Sequence, residues 1–113
     1  MGKIDRYRQI IQHILSNHAE LSPTAGQVET MPVYDTVHDN YLLVDVGWDN
    51  TGRVHSILSH MHIREGKVWV EWDGIQPSIV QELLEAGIPS EDIVLGYFRP
   101  ERREFVTLAY EPV

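Results

Sequence analysis

The stretch RVHSILSHMHIREGKVWVEWDG, residues 53–74, decides the fold to which the rest of the chain must conform. Two runs that are rich in β-branched and aromatic residues, and that alternate apolar with polar side chains, flank Glu65-Gly66. This pair is suited to a two-residue hairpin turn. The stretch also contains three of the six histidines and two of the three tryptophans of the chain. It predicts a β-hairpin whose two faces must be assigned before any histidine is given a role.

The hairpin continues a longer series of predicted strands. Turn-forming residues interrupt a segment rich in Val, Ile, Thr, Tyr and Trp. Four antiparallel strands in a meander follow, at about residues 27–37, 41–48, 53–64 and 67–73. Pro32 lacks the N–H that a central strand needs, so the first strand is expected at a sheet edge.

Helical patterns flank these strands. Residues 3–20 carry apolar side chains at helical spacing, and the Ser-Pro-Thr-Ala-Gly cluster at 22–26 ends the helix. A second helix is predicted at about 77–86, with Pro77 in its first turn and Gly87 as its stop. Residues 93–98 predict a short C-terminal strand, and the tail from residue 100 fits a helical turn or an extended run. The predicted fold class is α+β, in a single domain over residues 1–113.

Composition limits the classes of function. The 113 residues, 42% of them hydrophobic, suit one core, and the lack of cysteine excludes disulfides and thiolate chemistry. No apolar run approaches the roughly 20 residues of a membrane span, so we expect a cytoplasmic protein without membrane contact. Nine Lys and Arg against 17 Asp and Glu give a net charge of −8, which repels a phosphate backbone. Direct nucleic-acid contact is therefore not expected.

The hairpin register assigns the histidines to faces. If residues 65–66 form the turn, His62 faces Trp69 and His60 faces Glu71, because side chains alternate with a period of two. Extension through the loop at 49–52 places His55 on the core side. The predicted outer face then collects Tyr41, Leu43, Asp45, Leu58, His60, His62, Trp69, Glu71 and Asp73.

This predicted outer face has several possible uses. His60 and His62 have the spacing of metal ligands on one strand, with Glu71 as a third ligand. His60 with Glu71 could also form a catalytic base and its carboxylate, although no nucleophile is placed beside them. A further helix of the chain could simply cover the face.

We favour a fourth use, a protein-contact surface with an aromatic and aliphatic centre and a polar rim. No cofactor or metal is then expected. The candidate contact residues are Tyr41, Leu43, Leu58, His60, His62, Trp69 and Glu71.

Five ordered segments, in a likeness that runs from the first helix to about Tyr110, resemble the XisI family. They are His38-Asp39-x-Tyr41, Val46-Gly47-Trp48-Asp49, Arg53-Val54-His55, Ile63-x-x-Gly66-Lys67-Val68-Trp69-Val70 and Ala86-Gly87-Ile88-Pro89-x-x-Asp92-Ile93-Val94-Leu95-Gly96. The chain departs from the family pattern at Ser56, where a glycine is common, and at Tyr97-Phe98, where a Phe-His pair is common.

The resemblance implies a role rather than a reaction. The family is named after a cyanobacterial factor required to excise the fdxN DNA element during heterocyst differentiation, in which a separate recombinase cuts the DNA. It supplies no catalytic residue to carry over. It implies a non-enzymatic accessory protein for DNA recombination that acts through an XisH-like, nuclease-fold companion, and the predicted outer face adds self-association as a homo-oligomer.

Two other functions stay open. A DNA-binding accessory protein would use the basic residues Lys3, Arg6, Arg8, Arg99, Arg102 and Arg103 on phosphates. A metal-dependent enzyme would use His60, His62 and Glu71.

Overall fold

A five-stranded sheet carries its helices on one face in the computed structural model, which describes residues 2–21, 27–75 and 78–103. The elements are α1 (Lys3–Leu21), β1 (Gln27–Asp35), β2 (Asn40–Asp49), β3 (Gly52–Arg64), β4 (Lys67–Asp73), α2 (Ile79–Glu85), a 3-10 turn (Ser90–Asp92), β5 (Ile93–Leu95) and α3 (Pro100–Arg103). The sheet order is β1-β2-β3-β4-β5, with the first four strands antiparallel and β5 parallel to β4. The predicted α+β class is confirmed.

The predicted elements all occur, with small differences at their ends. The C-terminal strand is shorter than predicted, since it ends at Leu95, and the ambiguous tail begins as the helical turn α3. The predicted turn at 22–26, the first-turn Pro77 and the tail after Arg103 lie outside the described residues. None of the described helices combines the length and apolar character needed to cross a membrane.

One apolar layer joins the helices to the sheet. Helix α1 contributes Tyr7, Ile11, Ile14 and Leu15, which recur at helical spacing because one stripe of an amphipathic helix faces the core. The sheet contributes Tyr41, Leu43, Met61, Ile63, Val68 and Val70, and α2 adds Ile79, Val80 and Leu83. These buried residues define the helix side of the sheet.

The turn between β3 and β4 has the geometry that the sequence predicts. Glu65 and Gly66 have φ values of 55° and 77°, and a type I′ hairpin turn needs positive φ at both central positions. Arg64 pairs with Lys67, and His62 with Trp69, as expected. The predicted register is therefore correct next to the turn.

Farther from the turns, two β-bulges make the observed strand pairing differ from the predicted register. Val44 pairs with Ile57 but Leu43 pairs with Ser59, so Leu58 is an extra residue in β3. Met61 pairs with Val70 but His60 pairs with Trp72, so Glu71 is an extra residue in β4. Each bulge shifts the following pairs by one residue, which moves side chains to the opposite face.

Several predicted face assignments are corrected as a result. Tyr41 and Leu43 are 0% and 1% exposed on the helix side, and Leu58 packs against the same core. His55, predicted to face the core, is exposed instead. Asp73 also lies toward the helices.

Asp73 accordingly has a structural role at the end of β4. Its Oδ2 accepts a 2.7 Å hydrogen bond from the Ser78 hydroxyl, and the Ser78 oxygen accepts one from the Val80 backbone N–H, 3.2 Å away. This capping fixes the start of α2 beside the strand.

Candidate functional site

The sheet face opposite the helices, called the open face below, is the candidate site. Its members follow from the strand pairing, because residues opposite each other on neighbouring strands share a face and successive residues alternate. In the described part of the chain, α1 and α2 pack on the other side, and α3 reaches one corner through Arg103. The open face comprises Gln27, Glu29, Met31, Val33, Asp35, Asn40, Leu42, Val44, Val46, Trp48, Arg53, His55, Ile57, His60, His62, Arg64, Lys67, Trp69, Trp72 and Val94.

The centre of the open face is apolar. Around it, large apolar side chains are exposed on the same face: Trp48 is 55% exposed, Trp72 54%, Ile57 46% and Val33 41%. A sheet with one solvated face normally alternates apolar and polar residues, whereas β2 is apolar on both sides through residues 41–44. Exposed apolar patches of this kind mark contact surfaces.

Charge is distributed unevenly across the open face. The acidic Glu29 and Asp35 stand on β1, at one edge. The basic Arg53 and Arg64 stand on β3, together with three histidines, and Lys67 stands on β4. The intervening strand β2 presents no charged side chain on this face.

Trp69 forms the corner of the open face next to α3. The guanidinium carbons of Arg64 and Arg103 lie 4.1 Å and 5.2 Å from the centre of its ring, within the range of cation–π attraction. Arg103 is held there because its Nε donates to the Leu95 carbonyl at 3.1 Å. The Trp69 Nε1 is buried and has no hydrogen-bond partner among the described residues.

His62 and Glu71 lie side by side near this corner. The His62 Nε2 is 3.6 Å from the Glu71 Oε1, an atom that accepts no hydrogen bond from the part of the chain that the structure describes. Burial lowers the pKa of His62, and the neighbouring Glu71 carboxylate offsets part of this effect. The net effect is a pKa of His62 below its ordinary value, which favours the neutral ring.

The three proposed metal ligands do not converge. The His60 Nε2 lies 3.2 Å from the Asn40 Oδ1, and the centres of the His60 and His62 rings are 6.2 Å apart. Among the described residues, no group of three or more His, Asp or Glu side chains is arranged to hold a metal ion. The geometry of this region suits recognition of a surface better than coordination of an ion.

Three of the basic residues considered for DNA contact are engaged within the fold. The Lys3 ammonium is 3.1 Å from the Asp92 carboxylate. Arg8 forms a bidentate pair with Asp39, with N–O distances of 2.7 Å and 3.0 Å. Arg103 is held by the Leu95 carbonyl, as described above.

Residues in the family-like segments have clear structural roles. Arg8 keeps the pKa of Asp39 below its usual range, and the hydrogen bond from Tyr7 does the same for Asp92. Burial, reinforced by these carboxylates, raises the pKa of Tyr7 and of Tyr41 to about 12. These contacts connect α1 to the turns before β2 and β5.

Two glycines in these segments make close contacts. A Cβ on Gly47 would lie 1.8 Å from the Gln27 carbonyl oxygen on the neighbouring strand. A Cβ on Gly96 would lie 2.1 Å from the Glu71 Oε1. Gly47 therefore has no room for a side chain, whereas a side chain at Gly96 would require the Glu71 side chain to move.

The structure thus separates the seven predicted contact residues. It places His60, His62 and Trp69 on the open face, Glu71 in a bulge at its margin, and the other three in or against the core. Sequence reasoning missed Val33, Ile57 and Trp72. The continuous apolar run at 41–44 was the signal that β2 is suited to burial on both sides.

Comparisons with known proteins agree with the segment pattern. A family model described as XisI protein matches residues 1–110. The crystal structure of a XisI-like protein from Anabaena variabilis is similar to this chain, with 28% identity, a TM-score of 0.85, and coverage of 93% of this chain and 95% of that one.

A second crystal structure, of fdxN element excision controlling factor XisI from Anabaena variabilis, has 38% identity and a TM-score of 0.78. The similarity covers 90% of this chain and 99% of that one. No curated protein matches the chain. The extent of the family match and the shared fold show that this chain belongs to the XisI family.

Proposed function

We propose that this chain is a non-enzymatic accessory factor in the control of DNA element excision, and that it acts by protein contact through the open face. The observation that carries the proposal is the exposed apolar surface of that face, with Trp48, Ile57 and Trp72 about half exposed. Burial of such side chains supplies much of the binding energy in protein interfaces.

The link to excision comes from family membership. A relative that is 38% identical bears the name fdxN element excision controlling factor.

The proposed partner is an XisH-like protein with a nuclease-like fold. Contact with this partner, rather than with DNA, is favoured by the charge of −8 and by the pairing of Lys3 and Arg8 with aspartates. The accessory factor would then influence DNA through the companion.

Coexpression with the XisH-like companion, followed by affinity recovery, tests the proposal. Trp72→Ala and Ile57→Ala should each lower recovery of the companion about tenfold or more, because each removes an apolar contact from the open face. Val37→Ala is the matched control, since Val37 is 82% exposed in the loop before β2 and lies off the face.

Thermal unfolding of each variant would establish that the fold is retained. Recovery of the companion at the wild-type level by both Trp72→Ala and Ile57→Ala would contradict the use of the open face.

A further inference from the structure

The open face has an internal charge pattern that selects among possible occupants. Its rows run across the strands: Glu29, Val46 and His55 form one row, and Met31, Val44 and Ile57 form the next. Each row thus has β2 in the middle, β1 on one side and β3 on the other.

The two sides of the rows differ in charge. Glu29 and Asp35 make the β1 side acidic, whereas Arg53 and Arg64 make the β3 side basic. Glu71 does not cancel this pattern, because its carboxylate is held at the far margin beside His62 and Gly96.

Two copies can stack these faces about two different in-plane two-fold axes. An axis perpendicular to the strands places β1 over β1, so acidic groups meet acidic groups and basic groups meet basic groups. An axis parallel to the strands reverses the order across the sheet and places acidic β1 over basic β3. Only the second arrangement is complementary in charge.

We propose that a second copy of this chain occupies the open face, related by a two-fold axis that runs parallel to the strands above β2. The inference rests on the proposed function in taking the open face as a protein-contact surface. The second copy and the companion would compete for Ile57, whereas Trp72 on β4 lies outside the overlap of β1, β2 and β3 and stays available to the companion. The two-fold arrangement places Val44 next to its own counterpart, Met31 against Ile57, and Glu29 against His55. Each unlike pair occurs twice, as in any isologous interface.

This arrangement is a recognised form of sheet packing. Two sheets stack about 10 Å apart with their strands rotated by about 30°, and the inner side chains interdigitate. The interface closes on itself, which limits the assembly to two chains. It also gives the second apolar side of β2 the burial that its composition predicts.

Analytical ultracentrifugation over a range of concentrations tests the proposal. The wild-type chain should sediment with twice the mass of one chain. Val44→Arg should be monomeric, because two cations would meet at the axis in a poorly solvated interface. Glu29→Arg should weaken dimerisation by about tenfold, since it places two cations per dimer against the basic β3 side that carries Arg53 and Arg64.

A double variant provides the sharpest control. Glu29→Arg combined with His55→Glu places opposite charges across the axis and should recover dimerisation. Within one copy these residues are two strands apart, at about 10 Å, so the recovery would report contact between copies. Glu91→Lys, at an exposed site in the 3-10 turn, changes the net charge without touching the face and should leave dimerisation unchanged.

The outcomes separate this inference from the proposed function. A monomer at every concentration, with companion binding still sensitive to Trp72→Ala, would overturn the second copy and leave the proposed function standing. If Val44→Arg abolishes the dimer but no open-face variant affects companion binding, the second copy on the open face is supported. The proposed use of that face by the companion is then overturned.

Two further results would overturn the inference. One is a monomer that becomes a dimer only after truncation behind Arg103, which would assign the face to the C-terminal segment. The other is a dimer insensitive to Val44→Arg. Circular dichroism and thermal unfolding of each variant show whether it is folded.

Discussion

Asp39 and Asp92 fix helix α1 against the sheet through charged hydrogen bonds. Asp39 accepts from both Arg8 and the Tyr41 hydroxyl, and Asp92 accepts from Tyr7. In both cases the partner lies far along the chain or on another element. Local sequence patterns show Asp39 only as a turn residue, which explains why its tertiary role could not be predicted.

Replacement of Asp39 should therefore destabilise the fold at neutral pH. Asp39→Asn removes the charge from a bidentate pair and should lower the free energy of unfolding by about 2 kcal/mol in urea titrations. Asp5→Asn is the control, since Asp5 contacts the same Arg8 at the surface, and its removal should cost less than about 0.5 kcal/mol. Equal losses in the two variants would contradict the assigned role.

The same pair should make stability depend on pH. The pKa of Asp39 is lower in the folded chain than in the unfolded chain, so its stabilising effect is complete above about pH 4 and is lost as the pH falls through the lower folded-state value. The difference between wild type and Asp39→Asn should shrink over this range. A difference that stays constant down to pH 2 would disprove the linkage.

His62 gives a second test at the residue scale. Burial lowers its pKa, whereas the Glu71 carboxylate raises it. Glu71→Gln should therefore lower the pKa of His62 further, as measured by the NMR titration of its ring protons. Glu65→Gln, at the exposed hairpin turn, should leave the titration unchanged, and an upward shift in Glu71→Gln would refute the assignment.

At the scale of elements, the positions of the helices and strands could be predicted from the sequence better than the register of the strands. The helices, strands and the 65–66 turn follow from local spacing and turn chemistry, and they occur near their predicted positions. The bulges at Leu58 and Glu71 depend on how neighbouring strands fit together, which local spacing does not encode. One extra residue in β3 was enough to move Tyr41 and Leu43 from the predicted outer face into the core.

Gly47 tests the close approach of β1 and β2. Gly47→Ala requires a shift of the Gln27 backbone, whereas Gly52→Ala meets no atom of the described residues within 4 Å. Both glycines have positive φ, at 150° and 120°, so both variants carry backbone strain. Gly47→Ala should be the less stable by about 1–3 kcal/mol in chemical denaturation. Similar stabilities would show that the β1–β2 contact adapts at little cost.

At the scale of the whole molecule, the distribution of charge matters more than its sum. The chain has a net charge of −8, yet the β3 side of the open face carries arginines and histidines. The overall acidity was evident from composition alone. The separation of acidic from basic side chains across the open face depends on strand pairing, so it could not be predicted without the correct register.

Net charge leads to a prediction about DNA. Because phosphate contacts require available cations, a gel-shift assay with duplex DNA should show no complex at physiological salt. The same assay with the XisH-like companion added tests whether DNA is reached through that protein. A band formed by this chain alone, and lost steeply as salt rises, would favour direct binding instead.

The placement of the tryptophans has an optical consequence. Trp48, Trp69 and Trp72 are the only tryptophans in the chain, and all three belong to the open face. Intrinsic fluorescence therefore reports the environment of that face and hardly senses the helix-side core. A shift of tryptophan emission to shorter wavelength, when the protein is concentrated or mixed with a partner, would show without any label that the face has become covered. An unchanged circular dichroism spectrum would show that the fold itself has not changed.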